Sequence, residues 1–535
     1  MKLLVYDTTL RDGAQQEGLS LSVDDKLKIT MLLDRLGVDL IEGGWPGSNP
    51  KDVLFFKRVK TLPLKHARIS AFGSTRRAGQ TAEDDLNVAA LLQADTPVVT
   101  LFGKAWRLHV DRVLKTTAWE NLRMISSTVS ALFGVGREVI FDAEHFFDGY
   151  KDDPSYAIET LFTAADAGAS SLVLCDTNGG TMPWEIESII ASVRKQIELP
   201  LGIHAHNDAG LAVANSLAAV QAGVSQIQGT VNGYGERCGN ADLCSILPTL
   251  ALKLGYDLAA SPRLSDLTRL SEQVSELVNC RPNPQHPYVG ESAFAHKGGM
   301  HVDALLKCEE SYQHVDPARV GNRRRVVISE LSGKANMAAK VREFGLSLGE
   351  SPKEEQTKQL LARIKDLEHQ GFQFEGAEAS VELLIRRSDS AYTPPFELTD
   401  FHVLVRGHPE HGMLSEAAVK VAVRDEVFHT AADGNGPVNA LDAAVRKALV
   451  PSFPCLKRVR LVDYKVRILD GDAGTAAKTR VLITSSDGHK TWSTVGCGTN
   501  VIEASWLALA DAFEYAAIGV PSAAPETVAS HVEVS

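Results

Sequence analysis

The sequence predicts an α/β fold: a TIM (β/α)8 barrel, then an irregular and helical linker, then a C-terminal α+β domain with an internal repeat. Three observations predict it. Runs rich in Val, Ile and Leu recur roughly every 25 to 45 residues through the first half of the chain, the spacing of βα units. Polar residues gather at the C-terminal ends of those runs. From about residue 395 the apolar pattern changes to a period of two and begins to repeat itself.

Taken in order, the runs are 3 to 9, 38 to 45, 68 to 73, 97 to 102, 138 to 146, 171 to 177, 201 to 207 and 226 to 231. Helical stretches lie between them. Ser22-Val-Asp-Asp25 and Thr81-Ala-Glu-Asp84 read as capping boxes, and Asp153-Pro154 reads as a cap followed by proline at the first helical position. Gly37, Gly168 and Gly223 each stand where a helix ends in a left-handed residue, two positions before the next strand. Eight such units argue for a closed barrel, with a doubly wound open sheet as the alternative. A chain of 535 residues exceeds the roughly 100 to 200 of one domain, so we expect a barrel over 1 to 270, linker and helical lid subdomains over 271 to 394, an allosteric or dimerising domain over 395 to 520, and a tail over 521 to 535.

Composition excludes several function classes. The 55 basic and 67 acidic residues give a net charge of −12, which works against a non-specific grip on nucleic acid or an acidic bilayer. Seven cysteines without a CxxC pair read as free thiols in a reducing compartment, so a cytoplasmic location is expected. No apolar run reaches the roughly 18 residues needed to span a membrane, and Asp7 and Arg11 interrupt the N-terminal stretch too early for a signal peptide.

The polar run ends point to an enzyme, since barrel enzymes build their sites on that face. His204 and His206 are two apart on a strand and leave on the same side. Such a pair needs partners, which neighbouring side chains or a metal could supply. Asp12 and Asn240 add a carboxylate and an amide oxygen, a mixed set that suits Mg²⁺, Mn²⁺ or Zn²⁺ at a catalytic site better than a closed structural zinc. Cys238 reads as a small space-filling residue. Arg11 reads two ways, as a guanidinium stabilising charge on a substrate oxygen or as the ion-pair partner of Glu42 or Asp176. Glu144 reads as a base, the holder of one, or an ordinary rim carboxylate. The loop from Gly233 to Gly239 has the wrong position and glycine spacing for a dinucleotide fingerprint.

Three motifs now form a pattern. Asp7-Thr-Thr-Leu-Arg-Asp-Gly13, His204-Ala-His-Asn-Asp208 and Gly235-Glu-Arg-Cys-Gly-Asn240 together resemble the alpha-isopropylmalate, homocitrate and citramalate synthases, acyl-CoA Claisen condensation enzymes of the DRE metallolyase barrel group. The resemblance spans the chain, because Gly299-Met-His-Val-Asp303 and the C-terminal module also have counterparts. Glu42-Gly-Gly-Trp-Pro-Gly-Ser-Asn-Pro50 and Leu101-Phe-Gly-Lys-Ala-Trp106 look like the long citramalate synthases; isopropylmalate synthases usually end the second strand in Gly-Phe-Pro.

The resemblance implies Asp12, His204 and His206 as ligands of a divalent metal (Mn²⁺, Mg²⁺ or Zn²⁺), with Asn240 a fourth. It implies Arg11 as the carbonyl-polarising arginine, Thr177 as a contact to the 2-oxo acid carboxylate, Glu144 with His301 as the acid/base pair, and Tyr312 as the tyrosine beyond that histidine. The implied reaction joins acetyl-CoA to pyruvate, giving (R)-citramalate and CoA for isoleucine synthesis. Isopropylmalate or homocitrate synthesis is the near alternative, and an aldolase-type barrel lyase the alternative of another class. A carboxyltransferase would need a carbamylated lysine ligand and a biotin motif, which are not found. The chain departs from the family pattern at Ala304 (usually glycine), Asn178 (commonly apolar) and Asp142 (an aromatic pyruvate contact in some relatives).

Beyond the barrel, residues 270 to 345 are rich in Pro, Gly and His and read as an irregular lid-like segment. Arg323-Arg-Arg325 could reach a CoA phosphate or form a solvated basic turn. Residues 351 to 371 read as a helix, capped by Ser351, started by Pro352, with Leu360, Ile364 and Leu367 on one face and Gly371 at its end. Period-two runs at 401 to 405, 418 to 423 and 460 to 468 then read as strands. Gly434-Asn-Gly436 before a helix over 437 to 449 is echoed 62 residues later by Gly496-Cys-Gly498 before a helix starting near Asn500. Two such halves could hold a small ligand or simply dimerise. The family resemblance implies a homodimer and isoleucine as feedback inhibitor.

Overall fold

The computed structural model describes residues 3–329, 332–345, 354–409 and 412–518. It divides into two compact units, Met1–Phe294 with His314–Arg324, and Ala295–Gln313 with Arg325–Ser535.

In the first unit each of the eight expected runs forms a strand: β1 (Leu4–Asp7), β2 (Leu40–Gly44), β3 (Arg68–Ser74), β4 (Val98–Lys104), β5 (Glu138–Glu144), β6 (Ser171–Asp176), β7 (Leu201–Ala205) and β8 (Gln226–Gly229). All pair in parallel, and β1 pairs with β8 through Val5 opposite Ile227 and Asp7 opposite Gly229. That closure excludes the open sheet. Alternation along each strand explains why both faces are apolar: Tyr6, Leu40, Val98, Ile140 and Val173 fill the barrel, while Val5, Ile41, Val99, Val139 and Ile227 pack beneath the surrounding helices. Each fully buried Val, Leu or Ile contributes about 1.5 to 3 kcal/mol.

Local signals set the helix ends. Ser22 Oγ accepts from the Asp25 amide at 3.2 Å and Asp25 accepts from the Ser22 amide at 3.1 Å, the expected capping box. Asp153 accepts from the Tyr156 amide at 3.1 Å ahead of the helix Pro154–Asp166. Gly37, Gly168 and Gly223 have φ of 99°, 108° and 100°. Thr81 differs from expectation. It accepts from the Asp84 amide at 3.3 Å, but the helix begins at Leu86. The buried Asp85 carboxylate accepts from the Asn87, Val88 and Arg77 amides and is the stronger cap.

The second unit opens with a two-residue parallel pair, β9 (Ala295–His296) and β10 (Arg325–Val326). The segment expected to be irregular is more ordered than its Pro and Gly content suggested, with helices Gly299–Lys307 and Lys334–Glu343. Glycines 298 and 333 sit at the joints, and Met337 and Val341 bury against Leu360, Ile364, Leu367 and Phe374 to make a small helical core. Arg325 is not part of a solvated turn: it is 9% exposed and donates to Glu378 at 2.9 Å. The helix Glu354–Gln370 buries Leu360, Ile364 and Leu367 and ends at Gly371, φ 114°. Its expected start at Ser351 and Pro352 lies outside the described residues, as does the tail 521 to 535.

The C-terminal repeat is two copies of three antiparallel strands and a helix. β11 (Glu397–His408), β12 (Gly412–Val423) and β13 (Glu426–Gly434) lead into the helix Pro437–Leu449; β14 (Arg460–Ile468), β15 (Thr479–Ser486) and β16 (Thr491–Gly498) lead into Val501–Ile518. Val419, Val421, Leu441, Val445, Val481, Ile483, Leu509 and Phe513 share one core. Among the described residues no helix is long and apolar enough to cross a membrane.

Candidate active site

The turn after β1 is fixed by backbone. The amides of Arg11, Asp12 and Gly13 converge on the Thr8 carbonyl at 3.2, 2.9 and 3.0 Å. Asp7 holds the turn from below, accepting from the Thr9 amide at 2.9 Å and the Thr9 hydroxyl at 2.8 Å, while Thr9 Oγ1 accepts from the Val231 amide at 2.9 Å. Asp12 is thereby aimed at the end of β7. Asp12 Oδ2 lies 3.1 Å from His204 Nε2 and 3.9 Å from His206 Nε2, and the two ring nitrogens are 3.3 Å apart. All three residues are buried. Asn240 joins them as the antiparallel bridge partner of His206. Its Nδ2 donates to the Tyr234 carbonyl at 3.1 Å, and its buried Oδ1 has no hydrogen-bond partner among the described residues. The neighbouring chain must be glycine, since a Cβ on Gly235 would sit 2.1 Å from Asn240 Nδ2.

Electrostatics marks the same point. Burial alone would raise the Asp12 carboxyl, but Arg11, the His204 hydrogen bond and the charges of both histidines hold it well below the usual carboxylate range. Burial would lower His204, and its contact with Asp12 raises it instead; His206 is pushed down to about 3 by burial and by His204. A carboxylate and two imidazoles therefore surround one small volume, and Asn240, bridged by backbone to His206, carries an unpartnered amide oxygen. That donor set fits a divalent cation.

Of the two sequence readings of Arg11, the structure shows the ion pair with Glu42. Arg11 Nε pairs with Glu42, whose other oxygen accepts from Tyr6 at 2.7 Å, and its guanidinium lies 3.6 Å over the Phe72 ring. It still faces the cavity. Asp176 instead accepts from Thr181 at 2.7 Å. Glu144 is ion-paired with Lys104. Thr177 Oγ1 accepts from the His145 amide at 2.8 Å, which leaves its own proton to donate.

One cavity of about 210 Å³ brings Arg11, Asp12, Glu144, Thr177, His204 and His206 together, with Trp45, Phe72 and Phe102 as an aromatic wall. His301 and Tyr312 belong to the second unit, where their rings stack with centroids 4.6 Å apart. Of the departures, Asn178 donates to Asp148 at 3.0 Å, Ala304 lies in the helix Gly299–Lys307, and Asp142 lines the cavity but bonds to Gln228. Burial, then Glu42, pushes the Asp142 carboxyl up to about 7. Cys238 is exposed and fills no space. Sequence reasoning missed four contributors. Lys104 and Arg237 stood inside quoted motifs without a role; Arg237 clamps Asp208 at 2.7 and 2.9 Å and the Thr177 carbonyl at 2.8 Å. Gln228 and Phe72 stood in no motif, and their only signal was an inward position on a strand.

Comparison with known proteins agrees with this geometry. Residues 2–274 match the HMGL-like family, 288–371 the homocitrate synthase post-HMGL domain-like family, and 375–517 the LeuA allosteric (dimerisation) domain. The chain is 52% identical over 517 residues to an (R)-citramalate synthase of Aquifex aeolicus, covering 96% of this chain and 97% of that one. It is 52% identical to an (R)-citramalate synthase of Geobacter sulfurreducens with the same coverage, and 30% identical to a 2-isopropylmalate synthase of Methanocaldococcus jannaschii, covering 95% and 94%. With family models matching the barrel and both downstream segments, and with (R)-citramalate synthases 52% identical over nearly the whole chain, the chain belongs to the (R)-citramalate synthase family.

Proposed function

We propose that the chain condenses acetyl-CoA with pyruvate and hydrolyses the resulting thioester, giving (R)-citramalate and CoA. The observation that carries this reading is 52% identity over nearly the full length to proteins of that name. Asp12, His204 and His206, with Asn240 as a fourth ligand, would hold a divalent metal, Mn²⁺, Mg²⁺ or Zn²⁺, which supplies a Lewis acid beside the pyruvate oxygens. Arg11, anchored by Glu42 and Phe72, directs its remaining N–H groups at the carbonyl oxygen that becomes an alkoxide. Thr177 donates its hydroxyl proton to the pyruvate carboxylate. Glu144, held in place by its ion pair with Lys104, takes a proton from the acetyl methyl group, and that carbon forms the new bond to the pyruvate carbonyl carbon. Water then cleaves the thioester, releasing CoA as a thiol. The acid/base role of His301 and the catalytic role of Tyr312 rest on the sequence motif.

Thiol release from acetyl-CoA with pyruvate, 2-oxoisovalerate and 2-oxoglutarate as competing acceptors tests the reading. Pyruvate should be preferred; faster turnover of 2-oxoisovalerate would make the chain an isopropylmalate synthase. Chelation should abolish turnover, and re-addition of each of the three metals in turn should identify the active one. Full activity of a verified metal-free enzyme sinks the metal assignment.

The second unit supports a regulatory reading, with isoleucine as feedback inhibitor of an isoleucine-forming route. A cavity there combines Asp442 and Arg446 with Val438, Val459, Leu461 and Leu509, the pairing of charges and aliphatic wall that a branched-chain amino acid needs. The exposed apolar residues Leu461, Val462, Val466 and Ile468 on β14, with Met413 and Leu414 on β12, support a homodimer built on this module. A cytoplasmic location is consistent with seven cysteines that form no disulfide. In this reading 1 to 270 is the catalytic barrel, 271 to 394 the linker and helical lid subdomains that carry His301 and Tyr312, and 395 to 520 the regulation and dimerisation.

A further inference from the structure

Three buried polar groups from three strands form a chain that ends on the metal-fitting cluster: Asp142 on β5, Gln228 on β8 and His204 on β7, which are 3%, 0% and 5% exposed. Gln228 Nε2 donates to Asp142 Oδ1 at 3.1 Å, and Gln228 Oε1 lies 2.8 Å from His204 Nδ1. We propose that Gln228, oriented by Asp142, is a positioning residue that fixes His204 as the tautomer with a bare Nε2 facing Asp12 and His206. The proposal rests on the reading of those three residues as metal ligands.

The argument is one of hydrogen-bond polarity. Gln228 turns its NH₂ group to Asp142 Oδ1, where an ionised carboxylate can only accept. The amide oxygen then faces His204, and because that oxygen can only accept, His204 Nδ1 must carry the proton. With Nδ1–H committed to Gln228, Nε2, which lies 3.1 Å from Asp12 Oδ2 and 3.3 Å from His206 Nε2, is the ring nitrogen left to take a cation. Turning the amide over would set its oxygen against the carboxylate and leave His204 Nε2 protonated, unable to bind a cation. A neutral Asp142 carboxyl still has one oxygen to accept from Nε2–H. His206 has no equivalent device: its buried Nδ1 has no hydrogen-bond partner among the described residues. Orientation of the site therefore falls on His204, and the groups that impose it are too buried for solvent to replace them. Outer hydrogen bonds of this kind are worth roughly 10- to 100-fold in metal affinity.

Calorimetric titration of Mn²⁺ into the metal-free full-length protein tests this, using variants first checked for an unchanged circular dichroism spectrum. Asp12→Asn should remove binding. Gln228→Leu should weaken Mn²⁺ roughly 10- to 100-fold. Gln228→Glu, which keeps an acceptor for His204 Nδ1–H, should bind more tightly than Gln228→Leu. Asp142→Leu should weaken binding, and Asp142→Asn, whose amide oxygen still accepts from Gln228, should recover it. If Gln228→Leu does not fold, the comparison of Asp142→Leu with Asp142→Asn decides. Wild-type affinity in Gln228→Leu, or equal affinity in the two Asp142 variants, overturns the positioning role while leaving the ligand assignment in place, provided Asp12→Asn has lost the metal. Wild-type affinity in Asp12→Asn overturns both.

Discussion

Lys104 separates Glu144 from an ordinary rim carboxylate. Its ammonium pairs with Glu144 at the cavity edge and fixes where the carboxylate points. Glu144→Gln should lower kcat by roughly 100-fold or more while changing the pyruvate KM far less, which steady-state kinetics would show. Near-normal kcat would assign the base elsewhere. Asp7 offers a different residue-scale test, in stability. Burial pushes its carboxyl up to about 7, despite the two bonds from Thr9. The folded value lies above the ordinary value of 3.8, so the stability tied to the protonated form is fully present below about pH 4 and lost as pH rises through about 7. Asp7→Asn should therefore reduce the fall in melting temperature between about pH 5 and about pH 8, by the equivalent of about 1 to 3 kcal/mol. An unchanged pH profile would mean that Asp7 ionises freely in the folded protein.

At the scale of elements, two glycines bring helix and sheet into contact in the C-terminal repeat. A Cβ on Gly496 would lie 2.0 Å from the Ala504 carbonyl oxygen, and one on Gly434 would lie 2.4 Å from the Ala440 amide. Both contacts are with backbone, which cannot turn aside. Gly496→Val should thus cost at least about 1 to 3 kcal/mol, read as a lower melting temperature, with barrel turnover as the control. Gly434 is likewise a packing position, so its substitution probes the sheet as much as any ligand. The repeat itself was legible because its signals are local: glycines ahead of a helix, and period-two strands before them. The eight barrel strands were legible for the same reason, as were Asp12, His204 and His206, which sit in short motifs. What escaped is non-local. Gln228 meets His204 across 24 residues and Asp142 across 86, and Arg11 meets the Phe72 ring only because the barrel closes. The helical core around Met337 and Val341 escaped because Pro and Gly at the joints masked the apolar spacing between them.

For the whole molecule, the question is whether a ligand in the second unit governs chemistry in the first. Under the proposed regulatory reading, the cavity beside the helix Pro437–Leu449 would take the charged end of an amino acid at the Asp442–Arg446 pair and its branched side chain at Val438 and Leu509. Arg446 is itself held by Asp442 at 2.7 Å and by the Leu456 carbonyl at 2.6 Å, so its guanidinium is already oriented when a ligand arrives. If isoleucine inhibits from here, the effect is a coupling free energy of about 1 to 3 kcal/mol, or roughly 5- to 150-fold in affinity. Coupling of that kind runs in both directions, so a substrate whose affinity isoleucine lowers must weaken isoleucine binding by the same factor. Calorimetric titration of isoleucine into the full-length protein, with and without saturating substrate, measures that factor directly, and leucine and valine serve as comparisons. Asp442→Asn should raise the isoleucine concentration needed for half-inhibition roughly tenfold or more, because the ammonium group loses a charged partner. Failure of all three amino acids to bind would leave this module with dimerisation alone, and binding without reciprocity would separate the cavity from control of the barrel.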